Sequence, residues 1–297
     1  MGNYQEIRTD GDRVLEVLTG GDPDGFPLLF HLGSPSAAVP YTPIDDAARA
    51  QGLRLITYSR PGYGGSTPRP LPADGPRFAD DVPDLVTVLD ALGADRFVTL
   101  GWSGGGPRAL ACAALLPDRC LAAATLAGVA PRDGEGLDWF AGMGDDNVEE
   151  YTAAEQGRDS YETFMTEYFL PMRHITAEDL TGEMGGLLSP VDRAFMEPDF
   201  AEFLAESFRR AAAQGVVGAR DDGLAAAAPW GFDLASIRVP VAIWQGREDA
   251  MVPYAHGEWL AEQVAGATPH LFDDEGHLSL IAKIDEILAD LKLLAGL

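Results

Sequence analysis

Basic side chains are scarce in this sequence. Its 297 residues include 21 lysines and arginines against 47 aspartates and glutamates, which gives a net charge of −26. Nucleic acids and anionic membranes are polyanions that bind basic surfaces, so this charge argues against both as partners. Long apolar runs are missing too, and no stretch approaches the roughly 18 residues that a membrane span needs. We therefore expect no membrane-spanning segment.

Cysteine is almost absent, with only Cys112 and Cys120 in the chain. Their spacing matches no metal-binding motif and no catalytic group accompanies them, so we expect two buried free thiols and no metal site. Residues 1–6 are polar and lack the apolar core of a secretion signal. These features predict a soluble, cytoplasmic protein.

Strand and helix signals alternate along the first 130 residues. The strands are near-continuous apolar runs, which is typical of a parallel sheet with helices on both faces. Strand signals stop near residue 129 and return at residues 240–246. We therefore predict one α/β domain, formed by residues 1–130 and 233–297, that carries a helical insertion at residues 131–232. Within the insertion we predict helices at residues 145–156, 160–168, 177–188 and 191–213.

The most informative motif is Gly101-Trp102-Ser103-Gly104-Gly105, which follows an apolar strand and precedes a helix of small residues. A serine on so sharp a strand-to-helix turn has a strained backbone, and its neighbours two positions away have no room for side chains. Such a turn exposes the Ser103 hydroxyl and points the first N–H groups of the helix towards the same place. The motif predicts that Ser103 is a nucleophile.

A serine nucleophile needs a base with a pKa near 7 and an acid that orients it. Of the five histidines, His277 lies in the loop between the last strand and the last helix. Asp249 lies in the loop after the strand at residues 241–245, so all three groups follow strands of the predicted sheet. Among the other histidines, we expect His256 at the surface and His31 bracing its loop, while His174 lies in the insertion, where contact with substrate stays open.

Together these motifs resemble the α/β-hydrolase fold family, with the nucleophile, acid and base in the family's chain order. The resemblance implies a mostly parallel eight-stranded sheet flanked by helices, with residues 131–232 in the place of the lid. Residues 60–66 resemble the family's D-R-P-G-x-G-x-S loop, although Ser59 stands where aspartate is common. The family also has an alternative acid position, which is Asp133 in this chain.

The resemblance implies an oxyanion hole made by two backbone N–H groups. Gly104, which follows the nucleophile, supplies the first. The second comes from the loop after residues 28–32, where Ser34 is our choice and Gly33 the alternative, because Pro35 has no N–H. Aromatic residues near the turn are expected to form an apolar substrate pocket, and the candidates are Trp102, Trp139, Phe140, Phe164 and Tyr168.

These residues predict a serine hydrolase that cleaves a small ester-type substrate with an apolar portion through an acyl-enzyme, without a cofactor. A serine at position 103 argues against dehalogenases and epoxide hydrolases of this fold, which use aspartate there. An iminopeptidase-like aminopeptidase and a cofactor-free perhydrolase stay open, because both use the same triad. A non-catalytic sensor of small ligands is the alternative from another class. The sequence leaves open whether the protein is a monomer or a homodimer.

Overall fold

A computed structural model describes residues 3–297, so Met1 and Gly2, the start of the polar N-terminus, lie outside the described residues. Eight strands form one sheet in the order β1-β2-β4-β3-β5-β6-β7-β8. Strand β2 runs antiparallel to β1 and β4, and the remaining pairs are parallel, as predicted. The strands are β1 (Asn3–Arg8), β2 (Val14–Gly21), β3 (Phe26–His31), β4 (Leu53–Tyr58), β5 (Phe97–Trp102), β6 (Cys120–Leu126), β7 (Val241–Gly246) and β8 (Thr268–Phe272).

Five helices cover the two faces of the sheet: α1 (Thr42–Ala50), α2 (Val82–Ala91), α3 (Gly106–Leu115), α10 (Tyr254–Gln263) and α11 (Ile284–Ala295). Helices α1 and α11 pack on the face that carries Leu28 and Phe30. Helices α2, α3 and α10 pack on the face that carries Leu29. Successive strand residues point to opposite faces, so a strand covered on both sides must be apolar throughout. Coverage of both faces of the sheet therefore explains the near-continuous apolar runs in the sequence.

Six helices lie between β6 and β7, in the segment that the sequence assigns to the insertion. They are α4 (Asp145–Glu155), α5 (Arg158–Tyr168), α6 (Ala177–Glu183), α7 (Pro190–Phe195), α8 (Pro198–Ala211) and α9 (Val217–Ala227). The single helix predicted at residues 191–213 is in fact two helices, α7 and α8. The reason is Pro198, which has no N–H to donate and holds Glu197 in an extended conformation.

The insertion and the sheet share apolar contacts. Phe200 and Leu204 of α8 belong to the same buried cluster as Trp102 at the end of β5 and Leu280 near the C-terminus. The helical segment is therefore packed against the ends of the strands where the predicted catalytic residues lie. No helix within residues 3–297 is both long enough and apolar enough to cross a bilayer.

Candidate active site

Ser103 lies where β5 turns into the short 3-10 helix Ser103–Gly105 that leads into α3. Its φ angle is +55°, in the left-handed region that residues with a side chain seldom adopt. A Cβ atom on Gly101 would lie 2.2 Å from the carbonyl oxygen of Gly105, and one on Gly105 would lie 2.2 Å from the carbonyl oxygen of His31. The two glycines of the motif are therefore required by contacts, and the serine between them is held in one strained conformation.

The side chains of His277 and Asp249 form a buried pair. Asp249 lies in the loop after β7 and His277 in the loop after β8, and His277 Nδ1 lies 2.8 Å from Asp249 Oδ2. Backbone N–H groups of Met251 and Val252 each donate to Asp249 Oδ1 at 2.8 Å, and Gln245 Nε2 donates to Oδ2 at 3.0 Å. With its proton on Nδ1, the neutral imidazole has a free acceptor at Nε2.

The structure shows no contact between His277 and the alternative acid. Asp133 is exposed, and so is Glu248, the acid next to Asp249. Among the described residues, Asp249 is the carboxylate that accepts from the imidazole ring. The histidine is therefore paired with Asp249, the acid that we expected because it follows a strand of the sheet.

The surroundings of His277 raise the pKa of its imidazole ring. Burial by itself lowers the pKa of His277, because the charged imidazolium loses hydration. The attraction and the hydrogen bond of Asp249, with a further contribution from Asp192, outweigh this loss and raise the pKa above its ordinary value of 6.5. His277 is thus a stronger base than a free histidine.

Ser103 and His277 line one cavity of about 350 Å³ between the sheet and the insertion. The indole N–H of Trp102, the residue before the serine, donates to the His277 carbonyl oxygen at 3.3 Å. In the described part of the chain, no hydrogen bond joins the Ser103 hydroxyl to His277. Such hydrogen bonds often form only when substrate is bound.

The predicted oxyanion loop lies directly against the serine. A Cβ atom on Gly33 would lie 3.2 Å from Ser103 Cβ, and one on Gly104 would lie 3.4 Å from Ser34 N. The Ser103 carbonyl oxygen accepts from the Gly106 N–H and so points towards α3. The Gly104 N–H belongs to the same trans peptide and therefore points in the opposite direction, away from α3. The backbones of Gly104 and Ser34 therefore lie close together beside Ser103.

A buried cluster of charges fixes this loop. Arg60 donates to the carbonyl oxygens of Leu32 and Gly33, both at 2.7 Å. Because the carbonyl and N–H of a trans peptide point in opposite directions, the N–H groups of Gly33 and Ser34 both face away from Arg60. These are the two groups considered for the second donor. Arg60 itself is held by Asp222 of α9, with 2.6 Å between Nη2 and Oδ2.

Asp222 also connects the loop to the start of α3. It accepts from Arg108 at 2.6 Å and from the Ser34 hydroxyl at 2.6 Å, and Arg108 donates in turn to the Gly104 carbonyl oxygen at 2.8 Å. Burial alone would raise the pKa of Asp222, but Arg108 and Arg60 outweigh it and lower the pKa to about 2. Sequence reasoning missed Asp222 and Arg108. An arginine inside a helix of small apolar residues was a signal for Arg108, whereas Asp222 is one of many acids in the insertion.

Three of the five predicted pocket residues line the cavity, namely Trp102, Phe164 and Tyr168. The prediction was wrong for Trp139 and Phe140, which pack with Val129, Met143 and Val252 in a separate cluster. The Trp139 indole N–H donates to the Ala130 carbonyl oxygen at 2.8 Å, just after β6. This hydrogen bond holds the ring against the segment that follows β6, outside the lining of the cavity.

The prediction of a surface position for His256 was also wrong. Its Nδ1 accepts from the Ala130 N–H at 3.1 Å, and its Nε2 lies 2.9 Å from the Trp139 carbonyl oxygen. Burial lowers the pKa of His256 to about 4, so the ring is a neutral connector between two loops. His174 is exposed and does not line the cavity.

His31 is structural, as expected, but the hydrogen bonds of its ring go to the neighbouring strands β4 and β5 and not to its own loop. Its ring nitrogens lie 3.0 Å from the Tyr58 hydroxyl and 3.0 Å from the Thr99 hydroxyl, and burial lowers its pKa to about 3. Cys112 and Cys120 are buried free thiols. Among residues 3–297, no group of three or more His, Cys, Asp or Glu side chains is arranged to hold a metal ion.

This geometry agrees with sequence comparison. Residues 26–283 match the family model described as the alpha/beta hydrolase fold, and the chain belongs to that family. It is 29% identical to the pimeloyl-[acyl-carrier protein] methyl ester esterase of Aromatoleum aromaticum over 254 residues, which cover 83% of this chain and 86% of that protein. It is 26% identical to the non-heme chloroperoxidase of Streptomyces lividans over 285 residues, which cover 91% of each.

Solved structures share the fold at lower identity. One is the enol-lactonase from Burkholderia xenovorans LB400, which superposes with a TM-score of 0.68. Its sequence is 19% identical, and the match covers 99% of this chain and all of that one.

Proposed function

We propose that this protein is a serine hydrolase that cleaves the ester bond of a small substrate with an apolar portion. The proposal rests above all on one arrangement, the buried His277–Asp249 pair beside the cavity into which the strained Ser103 faces. An esterase among the curated relatives supports activity on ester bonds.

In the proposed reaction, the Ser103 hydroxyl attacks the ester carbonyl carbon while its proton passes to His277 Nε2. The N–H groups of Gly104 and Ser34 donate to the oxyanion that develops on the carbonyl oxygen. His277 then gives its proton to the departing alcohol, which leaves an acyl group on Ser103. Water, deprotonated by His277, attacks this acyl-enzyme, and His277 returns the proton to the Ser103 oxygen as the bond to the acyl group breaks and the acid leaves.

The lining of the cavity indicates which substrates it accepts. Much of it is apolar, with Met165, Met172 and Leu187 among the residues of the insertion. Five acids of the insertion also line it, and no lysine or arginine in the described part of the chain does. The five are Asp222, which is paired with Arg60 and Arg108, and Asp146, Glu149, Glu150 and Glu183. Like charges repel at short range, so the cavity favours a neutral ester over one with a free carboxylate.

The first test compares two esters of nearly equal size, p-nitrophenyl butyrate and p-nitrophenyl hemisuccinate. We expect the neutral butyrate to have a kcat/KM at least about 10-fold higher, with a smaller difference at high salt because ions screen the acids. The measurement is p-nitrophenol release at two ionic strengths. A hemisuccinate that reacts as fast as the butyrate contradicts the assigned charge preference, and no reaction with either ester contradicts the esterase proposal.

Two alternatives belong in the same assay. The chloroperoxidase relative favours a perhydrolase as a second candidate, in which hydrogen peroxide replaces water. Glu149 and Glu150 on the cavity favour binding of a substrate ammonium group, as an aminopeptidase requires. Acetate with peroxide and halide, and an amino-acid anilide, are the substrates that identify these two activities.

The pH dependence tests His277 as the base. Its neutral form is required, and its pKa is raised, so we expect kcat/KM to fall as the pH decreases through a midpoint above 6.5. His256 cannot account for this midpoint, since its pKa is about 4. A rate that stays constant down to pH 5 excludes His277 as the base.

A further inference from the structure

Asp192 of α7 is fully buried and accepts three backbone hydrogen bonds from the loop that carries His277. Its Oδ2 accepts from the His277 N–H at 2.9 Å. Its Oδ1 accepts from the N–H groups of Leu278 at 2.7 Å and Ser279 at 2.9 Å. These three consecutive donors lie at the start of the 3-10 helix Ser279–Lys283, where N–H groups have no partner within the helix.

The loop is shaped to receive this carboxylate. A Cβ atom on Gly276 would lie 2.5 Å from the carboxyl carbon and both oxygens of Asp192, so only glycine permits the approach. At the other end, the Ser189 hydroxyl accepts from the Asp192 N–H at 3.3 Å and caps α7. Asp192 is thus fixed on both sides, by its own helix and by the three N–H groups.

Two carboxylates therefore hold His277 from different parts of the chain. Asp249, from the loop after β7, binds the imidazole ring, whereas Asp192, from the insertion, binds the backbone. The other charged groups nearby, Glu275 and Lys283, form an ion pair with 3.1 Å between Oε1 and Nζ. Asp192 is the one group of the insertion that donates or accepts a hydrogen bond with His277 among the described residues.

We propose that Asp192 is a positioning residue, through which the helical insertion sets the place and the basicity of His277. The inference rests on the proposed function, in which His277 is the base. Both effects follow from the contacts. Three charge-assisted hydrogen bonds fix the backbone from which the imidazole extends, and the buried negative charge stabilises the imidazolium that forms during the reaction.

The experiment replaces Asp192 by asparagine, which has the same shape but no charge and one acceptor oxygen. We expect kcat for p-nitrophenyl butyrate to fall about 10- to 100-fold, because a displacement of a catalytic group by about 1 Å has effects of this size. We expect KM to change less, since Asp192 does not line the cavity. The acid limb of the pH profile should also move to lower pH, because one of the two carboxylates that raise the pKa of His277 is lost.

Two further variants complete the design. Asp199→Asn, at an exposed acid on α8, is the matched control and should keep the wild-type kcat and pH profile. Gly276→Ala pushes the Asp192 carboxylate off the three N–H groups but keeps its charge, so kcat should fall while the acid limb shifts less than in Asp192→Asn. This variant decides the question if Asp192→Asn does not fold.

The outcomes separate the two proposals. A wild-type protein without esterase activity contradicts the proposed function itself. An active wild type, with a folded Asp192→Asn variant of unchanged kcat and pH profile, overturns the positioning role. If kcat of Asp192→Asn falls but the acid limb of its pH profile does not move, Asp192 does not raise the basicity of His277. The loss of activity is then due to the backbone hydrogen bonds alone.

Discussion

Ser103→Ala is expected to lower kcat/KM for p-nitrophenyl butyrate by roughly 10⁴- to 10⁶-fold, the range found when a serine nucleophile is removed. The hydroxyl is the atom that forms the acyl-enzyme, and nothing in the alanine variant replaces it. The fold should persist, because both residues carry a Cβ and meet the same strain at a φ of +55°. The free energy of unfolding should therefore change by less than about 1 kcal/mol.

A fluorophosphonate probe makes this test direct. Intact-mass spectrometry should find one adduct on the wild type and none on Ser103→Ala. His277→Ala should react far more slowly, because its serine has no base. Ser36→Ala is the matched control: Ser36 lines the same cavity, so this variant should retain the adduct. An adduct on the folded Ser103→Ala variant would falsify the nucleophile assignment.

Asp249→Asn is expected to reduce kcat by about 10⁴-fold, as loss of the triad acid does in serine proteases. The structure gives a reason specific to this site. The N–H groups of Met251 and Val252 both point at Oδ1 and hold the amide oxygen of asparagine there. The amide NH₂ must then face His277 Nδ1, which moves the ring proton to Nε2 and removes the acceptor that Ser103 needs.

Asp133→Asn is the matched control for the acid, since Asp133 is exposed and occupies the alternative position. We expect wild-type kinetics from this variant. The comparison uses kcat for the neutral ester, with circular dichroism to verify folding. A larger loss in Asp133→Asn than in Asp249→Asn would assign the acid to Asp133.

Local constraints made the central part of the site predictable. The turn at Ser103 requires glycine at positions 101 and 105 because of contacts within a few residues and with the adjacent strand, and these leave a recognisable motif. His277 and Asp249 could be proposed because each follows an apolar strand, and parallel strands end at one edge of the sheet. The sheet itself followed from apolar runs that alternate with helical periodicity.

The predictions were wrong for residues whose environment depends on the direction in which the side chain points from its loop or helix. Trp139 and His256 contact each other, with ring centroids 5.2 Å apart, in a region that connects the ends of β6 and β7. An aromatic residue after a strand can pack over the cavity or beside the sheet. The choice depends on which hydrogen-bond partner its polar group reaches. The partner of the Trp139 indole is nine positions away, and those of the His256 ring are 117 and 126 positions away.

The sequence by itself determined the fold, the strained serine and the pairing of a histidine with an acid after β7, because these depend on periodicity and on motifs of a few residues. Only the tertiary structure decided which acids of the insertion matter. Asp192 and His277 are 85 positions apart, and Ser34 and Asp222 are 188 positions apart. In a chain with 47 acidic residues, neither aspartate differs in type or spacing from the exposed acids of the insertion. Burial against backbone N–H groups and arginines distinguishes them, and burial arises only when the insertion packs on the sheet.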